Sequence, residues 1–193
     1  MRDWKRHIAF ALLIAAALVL AGCGDFGKVE QGRVIAYNQK TGEVTLIRDS
    51  TEGQAAKPVY NGLPVLTVKT PADPDEMGPA PQAGKLMLVD LKKHEIVIYD
   101  TAAQALRTIE YQPVAERHNV AKGTGLPQID KGKQTITVYC AAEHTAVTFA
   151  ASAELLAMPA DTWKTGDEVR YYFKDPAQAL RMMNVTKTDL NKS

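Results

Sequence analysis

The chain has little that would declare a function by bulk property alone. Only 2 of its 193 residues are cysteine. One disulfide at most can form, and a disulfide-dense secreted scaffold is excluded. No charge of one sign prevails: 23 Lys and Arg stand against 22 Asp and Glu. That balance leaves no bulk electrostatic case for a nucleic-acid partner or for an acidic membrane surface. No apolar run reaches the roughly 20 residues that a membrane-spanning helix needs. Aromatic residues make up only 7% of the chain. Hydrophobic residues are nevertheless 46%, enough for a packed core and against wholesale disorder. The length allows one domain or two small ones.

The apolar content is uneven. Arg2, Lys5 and Arg6 precede an unbroken apolar stretch from Ile8 to Leu20, after which small residues lead to Cys23. This order of positive, apolar and small residues is that of a secretory signal, to be left out of fold reasoning. Its last four residues, Leu20-Ala21-Gly22-Cys23, resemble the lipobox of bacterial lipoproteins. The resemblance implies cleavage before Cys23, acylation of that residue and a membrane contact through the N-terminal lipid. Each buried methylene contributes about 0.8 kcal/mol, so several acyl chains hold durably where one is marginal. The next residue is Gly24, with Asp25 one place later. By the sorting rule of enterobacterial lipoproteins this implies the periplasmic face of the outer membrane rather than the inner membrane. Removing residues 1–22 takes away three basic residues and one acidic one, leaving 20 against 21. With Cys23 lipidated, Cys140 is the one free thiol.

Residues 23–31 read as the lipidated cysteine and a polar tether. Beyond it a pattern repeats: a β-rich run, a short polar or small connector, and a second β-rich run. Arg33–Tyr37 pairs in this way with Glu43–Ile47, Lys85–Val89 with Glu95–Tyr99, and Thr135–Tyr139 with Thr145–Phe149. Val, Ile, Tyr, Thr and Phe suit a pleated surface, whereas Asn, Asp and Gly suit turns. Three β-hairpins are predicted. The pentapeptide Ala-Gln-Ala-Leu-Arg occurs twice, at 103–107 and 177–181, which suggests duplication. It reads as a tight connector between strands with Ala and Leu inward; a paired binding loop built on Arg107 and Arg181 is the functional alternative. Gly32, Gly84 and Gly166 stand at the starts of strands. Ser152–Met158, with a capping Ser and a following Pro159, predicts one short helix. Pro71–Ala83 is a proline-rich loop with an acidic cluster at Asp73, Asp75 and Glu76. Val114–Pro127 reads as a linker, and a boundary between two β modules is placed near residue 116.

Candidate chemistry is thin. His94, His118 and His144 each neighbour a glutamate, but no two histidines share helical spacing and no cysteine pair exists, so no metal site is predicted. The acidic loop lacks the ligand alternation of a calcium-binding loop. Cys140 with His118 or His144 is a conceivable thiolate pair, yet Cys140 holds the strand-end place taken by Asn38 and Asp90 in the other hairpins. There is no C-x-x-C-H for a covalent haem, no P-loop ending and no G-x-S-x-G, so no cofactor is implied and no catalytic residue is assigned. Trp163, Tyr171, Tyr172 and Phe173 cluster near the last β run. Neighbouring strand residues face opposite ways, so Tyr171 and Phe173 share one face and Tyr172 the other. Trp163, Tyr172, Arg107 and Arg181 are therefore the candidates for contact with a ligand or partner.

Two resemblances complete the reading. Thr165-Gly-Asp-Glu-Val-Arg-Tyr-Tyr172 resembles the opening strand of small OB-fold or SH3-like barrels. The segments Gly24-Asp-Phe-Gly-Lys-Val-Glu-Gln-Gly-Arg-Val34 and Ala179-Leu-Arg-Met-Met-Asn-Val-Thr-Lys-Thr-Asp-Leu190 resemble an uncharacterised family of lipoproteins from sulfate-reducing bacteria, a domain of unknown function. The expectation is a mostly β protein: two tandem, partly open OB-like or SH3-like barrels, residues 32–115 and 116–190, with one short helix. Pairing of strands across the two modules into one merged barrel is the alternative. The expected role is a non-catalytic, lipid-anchored structural or protein-interaction module of the periplasm, with an envelope protein as partner. A module binding a glycan or a small anion is the other reading.

Overall fold

The computed structural model describes residues 26–52, 57–121 and 125–188; residues 1–22, expected to be a signal segment, and Cys23 lie outside them. The protein is mostly β, with twelve strands in three antiparallel sheets among the described residues. The first sheet contains β1 (Lys28–Asn38), β2 (Glu43–Asp49) and β3 (Tyr60–Lys69), together with β11 (Glu168–Phe173) and β12 (Ala179–Asn184), in the order β12-β11-β1-β2-β3. The second contains β4 (Leu86–Asp90), β5 (Glu95–Asp100) and β6 (Ala105–Glu110) in chain order. The third contains β7 (Pro113–Arg117), β8 (Gln128–Asp130), β9 (Thr135–Cys140) and β10 (Thr145–Ala150) in the order β7-β10-β9-β8. Helix α1 (Ala153–Ala157) follows the third sheet, capped by the Ser152 hydroxyl on the Leu155 N–H.

The three predicted hairpins are present, and the same turn closes two more. In each, four residues join the strands and the last adopts a left-handed backbone: Gly42, His94, Gln104, Gln134 and His144, with φ between 48° and 70°. The strand-end residue supplies the other half of the turn. Asn38, Asp90, Asp100 and Asp130 each accept, through Oδ1, backbone N–H groups two or three residues on. Such side chains reproduce a backbone turn contact, which is why Asn and Asp favour these places. Cys140 sits at the corresponding place in the fifth hairpin, its sulfur facing the N–H groups of Ala142 and Glu143.

Three apolar clusters hold the sheets together. The first sheet curls around Val34, Val44, Leu46, Val68, Val169, Tyr171, Phe173 and Met182. Its outer strands touch at one corner, where Lys69 bridges Gln178, so the curl is strong but not closed. The second sheet is the middle layer. On β5, Ile96 and Ile98 enter the cluster shared with the third sheet, whereas Tyr99 packs with Ile35, Ile47, Tyr60 and Met87 of the cluster shared with the first. A strand apolar on both faces reads as a continuous hydrophobic run rather than an alternating one, as Ile96–Tyr99 does.

Some expectations shift. β1 begins at Lys28, inside the stretch read as tether, because Lys28–Arg33 already pair with β11. That same pairing puts strands from both sides of residue 116 in one sheet, although no sheet closes into the merged barrel of the alternative. Residue 116 itself lies within β7, which pairs with β10. All five β7 residues are exposed, which is why this edge strand shows no hydrophobic alternation. The repeated pentapeptide is only partly connector: Ala-Gln ends each turn and Ala-Leu-Arg opens β6 or β12, and Leu180 is exposed where Leu106 packs inward.

Of the three glycines expected to start strands, Gly32 lies inside β1, and Gly84 and Gly166 meet at one crossing. Gly84 N–H donates to the Val34 carbonyl (3.1 Å), and the Val34 N–H donates to the Asp167 carbonyl (2.9 Å). A Cβ on Gly166 would lie 1.9 Å from the Val34 oxygen, and one on Gly84 2.3 Å from the Lys164 oxygen. Buried Asp167 closes the junction, accepting from the Gln82 N–H, the Asn184 amide and the Lys187 ammonium. Gly166→Ala is expected to cost about 3 kcal/mol or more, because backbone rather than a side chain must move. Gly132→Ala, whose Cβ meets only Asp130 Oδ1 at 3.5 Å, should stay within about 0.5 kcal/mol. Denaturant unfolding of both variants measures the difference, and equal midpoints would refute it.

Candidate functional site

The principal groove opens where β1 parts from β2. Lys28–Gln31 pair only with β11; pairing with β2 starts at Gly32 opposite Arg48. The wedge between the two strands is an open groove of about 940 Å³, lined among others by Lys28, Glu30, Arg48, Asp49, Gly62 and Arg170. Arg48 lies between two glycines, Gly32 on one neighbouring strand and Gly62 on the other. With no side chain directly across on either side, the space over the sheet belongs to the arginine. A Cβ on Gly62 would come within 3.0 Å of Arg48 Cβ. The Arg48 Nε is buried without an acceptor. Neither Arg48 nor Arg170 takes part in an ion pair among the described residues.

Two of the groove's carboxylates, Glu30 and Asp49, are occupied. Glu30 accepts the Tyr171 hydroxyl (2.9 Å). Asp49 accepts the N–H groups of Thr51 and Val59 and the Thr51 hydroxyl, which holds the β2–β3 connection. On the other face of β1 a relay crosses the sheet. The Arg170 guanidinium donates to Gln31 Oε1, and the Gln31 amide donates to the Tyr60 hydroxyl (3.0 Å). Arg33 lies over the Tyr60 ring at 4.4 Å and pairs with Glu168 at 2.9 Å. Burial, then the charge of Glu168, pushes the Tyr60 phenol well above its ordinary value. Burial and the Glu30 carboxylate do the same to Tyr171. Tyr111, in the second core, is pushed up to about 12, mainly by burial.

The residues singled out in the sequence are not brought together. Trp163 is 1% exposed, inside the core with Phe149 at 5.8 Å between ring centroids. It is corrected from a contact residue to a core residue: the turn Ala160–Trp163 lays the indole against β10. Tyr172 is half-buried, and its hydroxyl accepts the Gly27 N–H at 3.3 Å. Arg107 is on β6 and Arg181 on β12, in different sheets. Each is taken by a carboxylate, Arg107 by Glu154 and Arg181 by Glu76, so a paired binding loop does not form. Cys23 lies outside the described residues. His94 and His144 occupy left-handed turn positions, and among the described residues no three metal-ligating side chains converge. Arg48 and Arg170 were missed. The available signal was Gly62 inside a β-rich run, since a glycine within a strand marks close approach or open space.

The chain belongs to the family described as Domain of unknown function (DUF4881), which matches residues 25–193. No curated protein and no solved structure matches the chain.

Two measurements test this electrostatic picture. A buried phenol keeps its proton in the folded state while the unfolded chain releases it near pH 10. Stability is therefore full below about pH 10 and falls as pH rises toward about 12. Phenolate absorbance from Tyr60, Tyr111 and Tyr171 should appear together with loss of β-sheet circular dichroism; reversible ionisation of all three in the folded protein would contradict this. The second concerns Cys140, which is 4% exposed and donates to the Val89 carbonyl. Burial raises its thiol pKa, so less thiolate is present at neutral pH than in a free cysteine. In a Cys23→Ser chain a thiol reagent should label nothing until denaturant is added, and then one thiol per chain. Rapid labelling of the native protein would revive a reactive role for Cys140.

Proposed function

We propose that this member of the DUF4881 family is a lipid-anchored envelope lipoprotein, exported by residues 1–22 and held through Cys23, that acts without catalysis as a structural or protein-interaction module. Its place is the periplasmic face, on the outer membrane rather than the inner. The observation that carries the reading is the short link between the lipobox and the fold. Only Gly24–Gly27 separate Cys23 from β1, and β1 is the central strand of the five-stranded sheet. An anchor on Cys23 thus holds a rigid β body rather than a trailing tail. The likeness to lipoproteins of sulfate-reducing bacteria supports the same assignment.

A specific observation favours one second reading, that of a small-anion binder. Arg48 presents a buried Nε with no acceptor inside the groove, and a planar guanidinium is suited to carboxylate or phosphate. A glycan platform finds less support, because Trp163 is in the core and Tyr172 is engaged by Gly27.

Cys23→Ser is expected to abolish incorporation of labelled palmitate and to move the protein from the membrane to the soluble fraction. Full retention of label and location would overturn the anchor. For the second reading, phosphate or sulfate should raise the melting temperature of the native chain and not of Arg48→Ala. Equal shifts in both would remove it.

A further inference from the structure

The placement of exposed apolar residues relative to the anchor points to an orientation. We infer that the end of the five-stranded sheet at which β1 begins is the surface on which this protein sits on the phospholipid bilayer; this rests on the anchor reading above. Five residues of chain from Cys23 to Lys28 span at most about 17 Å. A domain of this size has a radius of gyration of about 15 Å. The link is therefore too short for the far side of the domain to turn toward the membrane. Its exit is also fixed. Gly27 donates to the Tyr172 hydroxyl, and a Cβ there would lie 2.5 Å from both the Phe173 oxygen and the Tyr172 ring, so the chain leaves flush against β11.

The exposed apolar side chains cluster at this end. Among the described residues, five of the seven large exposed hydrophobics belong to it: Phe26 at 88%, Val29 at 61%, Val59 at 47%, Leu63 at 38% and Leu180 at 45%, the last where β12 starts beside Tyr172 and Phe173, the partners of Val29 and Lys28. Strand register places them together. Val29 is three residues before Gly32, which pairs with Arg48, and Arg48 pairs in turn with Gly62, beside Leu63 and three residues after Val59. The other two, Leu88 and Val114, lie on β4 and β7 in the other sheets. Phe26 lies within about 10 Å of Cys23 along the chain, at the depth of the headgroups. Apolar side chains with cations beside them are what an interfacial surface needs. Here the cations are Lys28 and Arg48, which form no ion pair among the described residues and are matched to lipid phosphate; Arg170 is already engaged by Gln31. Glu30, Asp49 and Glu52 line the same groove, so its charges balance and the electrostatic part is weak. A covalent anchor makes weak contact sufficient, because it holds the surface at high effective concentration.

The test uses the processed lipoprotein reconstituted in vesicles of phosphatidylethanolamine and phosphatidylglycerol, with and without brominated acyl chains. Tryptophan is introduced singly as Phe26→Trp, Val59→Trp, Leu63→Trp and, on the outer edge strand β7, Val114→Trp. The native Trp163, buried in the core, serves as internal reference. The expected result is loss of most of the added emission at 26, 59 and 63, with the Val114→Trp and Trp163 signals unchanged. Positions 59 and 63 decide, since position 26 is near the anchor on any account. If they are quenched no more than Val114→Trp, the domain stands clear of the bilayer and the inference fails, while lipid mass on Cys23 leaves the anchor reading intact. Absence of that lipid mass overturns the anchor reading and this inference with it.

Discussion

Three backbone segments cross at one point, and the arrangement of the sheets depends on it. Val34 in β1, Gly84 before β4 and Gly166 before β11 approach so closely that neither glycine has space for a Cβ. Val34 gives its N–H to one neighbour and its carbonyl to the other. Such contacts are strong because they satisfy buried peptide groups that water cannot reach. They also fix geometry: the second sheet must leave the first at this crossing, and β11 must come alongside β1. Asp167 completes the joint by binding the Gln82 N–H, the Asn184 amide and Lys187 at once.

From this joint follows the shape of the groove. β11 is brought beside the first residues of β1, so those residues are paired on one side and open on the other. The opening exposes the far end of β2, and Arg48 occupies it because glycines stand across from it on both neighbouring strands. The same pairing holds Gly27 against Tyr172 and fixes where the N-terminal link departs. Groove, apolar rim and link are one consequence of β1 being the central strand rather than an edge. Arg107 and Glu154, Arg181 and Glu76, and Lys133 and Asp130 form exposed pairs, which contribute little to stability in water.

Much of the local structure was legible because it is written in neighbours. The three hairpins, the Ser152 cap and the Pro159 stop depend on residues within a few positions of one another. The Asp100 and Asp130 turns are equally local and repeat the same device, with Gln104 and Gln134 in the left-handed place that His94 and His144 hold in two of the expected hairpins. His94 and His144 drew attention as ligands and proved to be turn residues of the same kind. Trp163 shows the opposite limit. Beside an aromatic strand it looks available, and only the packing of the 160–163 turn onto Phe149 removes it from the surface. Cys140 was placed correctly by analogy with Asn38 and Asp90, since position in a repeated turn is a local property.

By itself the sequence determined the class of the fold, the hairpins, the short helix and the lipobox-like exit of the signal segment. Each of these is a matter of composition or of short-range order, and short-range contacts carry their own free energy. The partner of β1 was decided by the tertiary structure alone. Lys28–Arg33 and Glu168–Phe173 lie some 140 residues apart along the chain, and their pairing depends on backbone approach at Gly84 and Gly166 rather than on any side-chain pattern. That pairing turned an apparent tether into a strand and a module boundary into a continuous assembly. It also made Arg48, unremarked in the sequence, the cation of the groove.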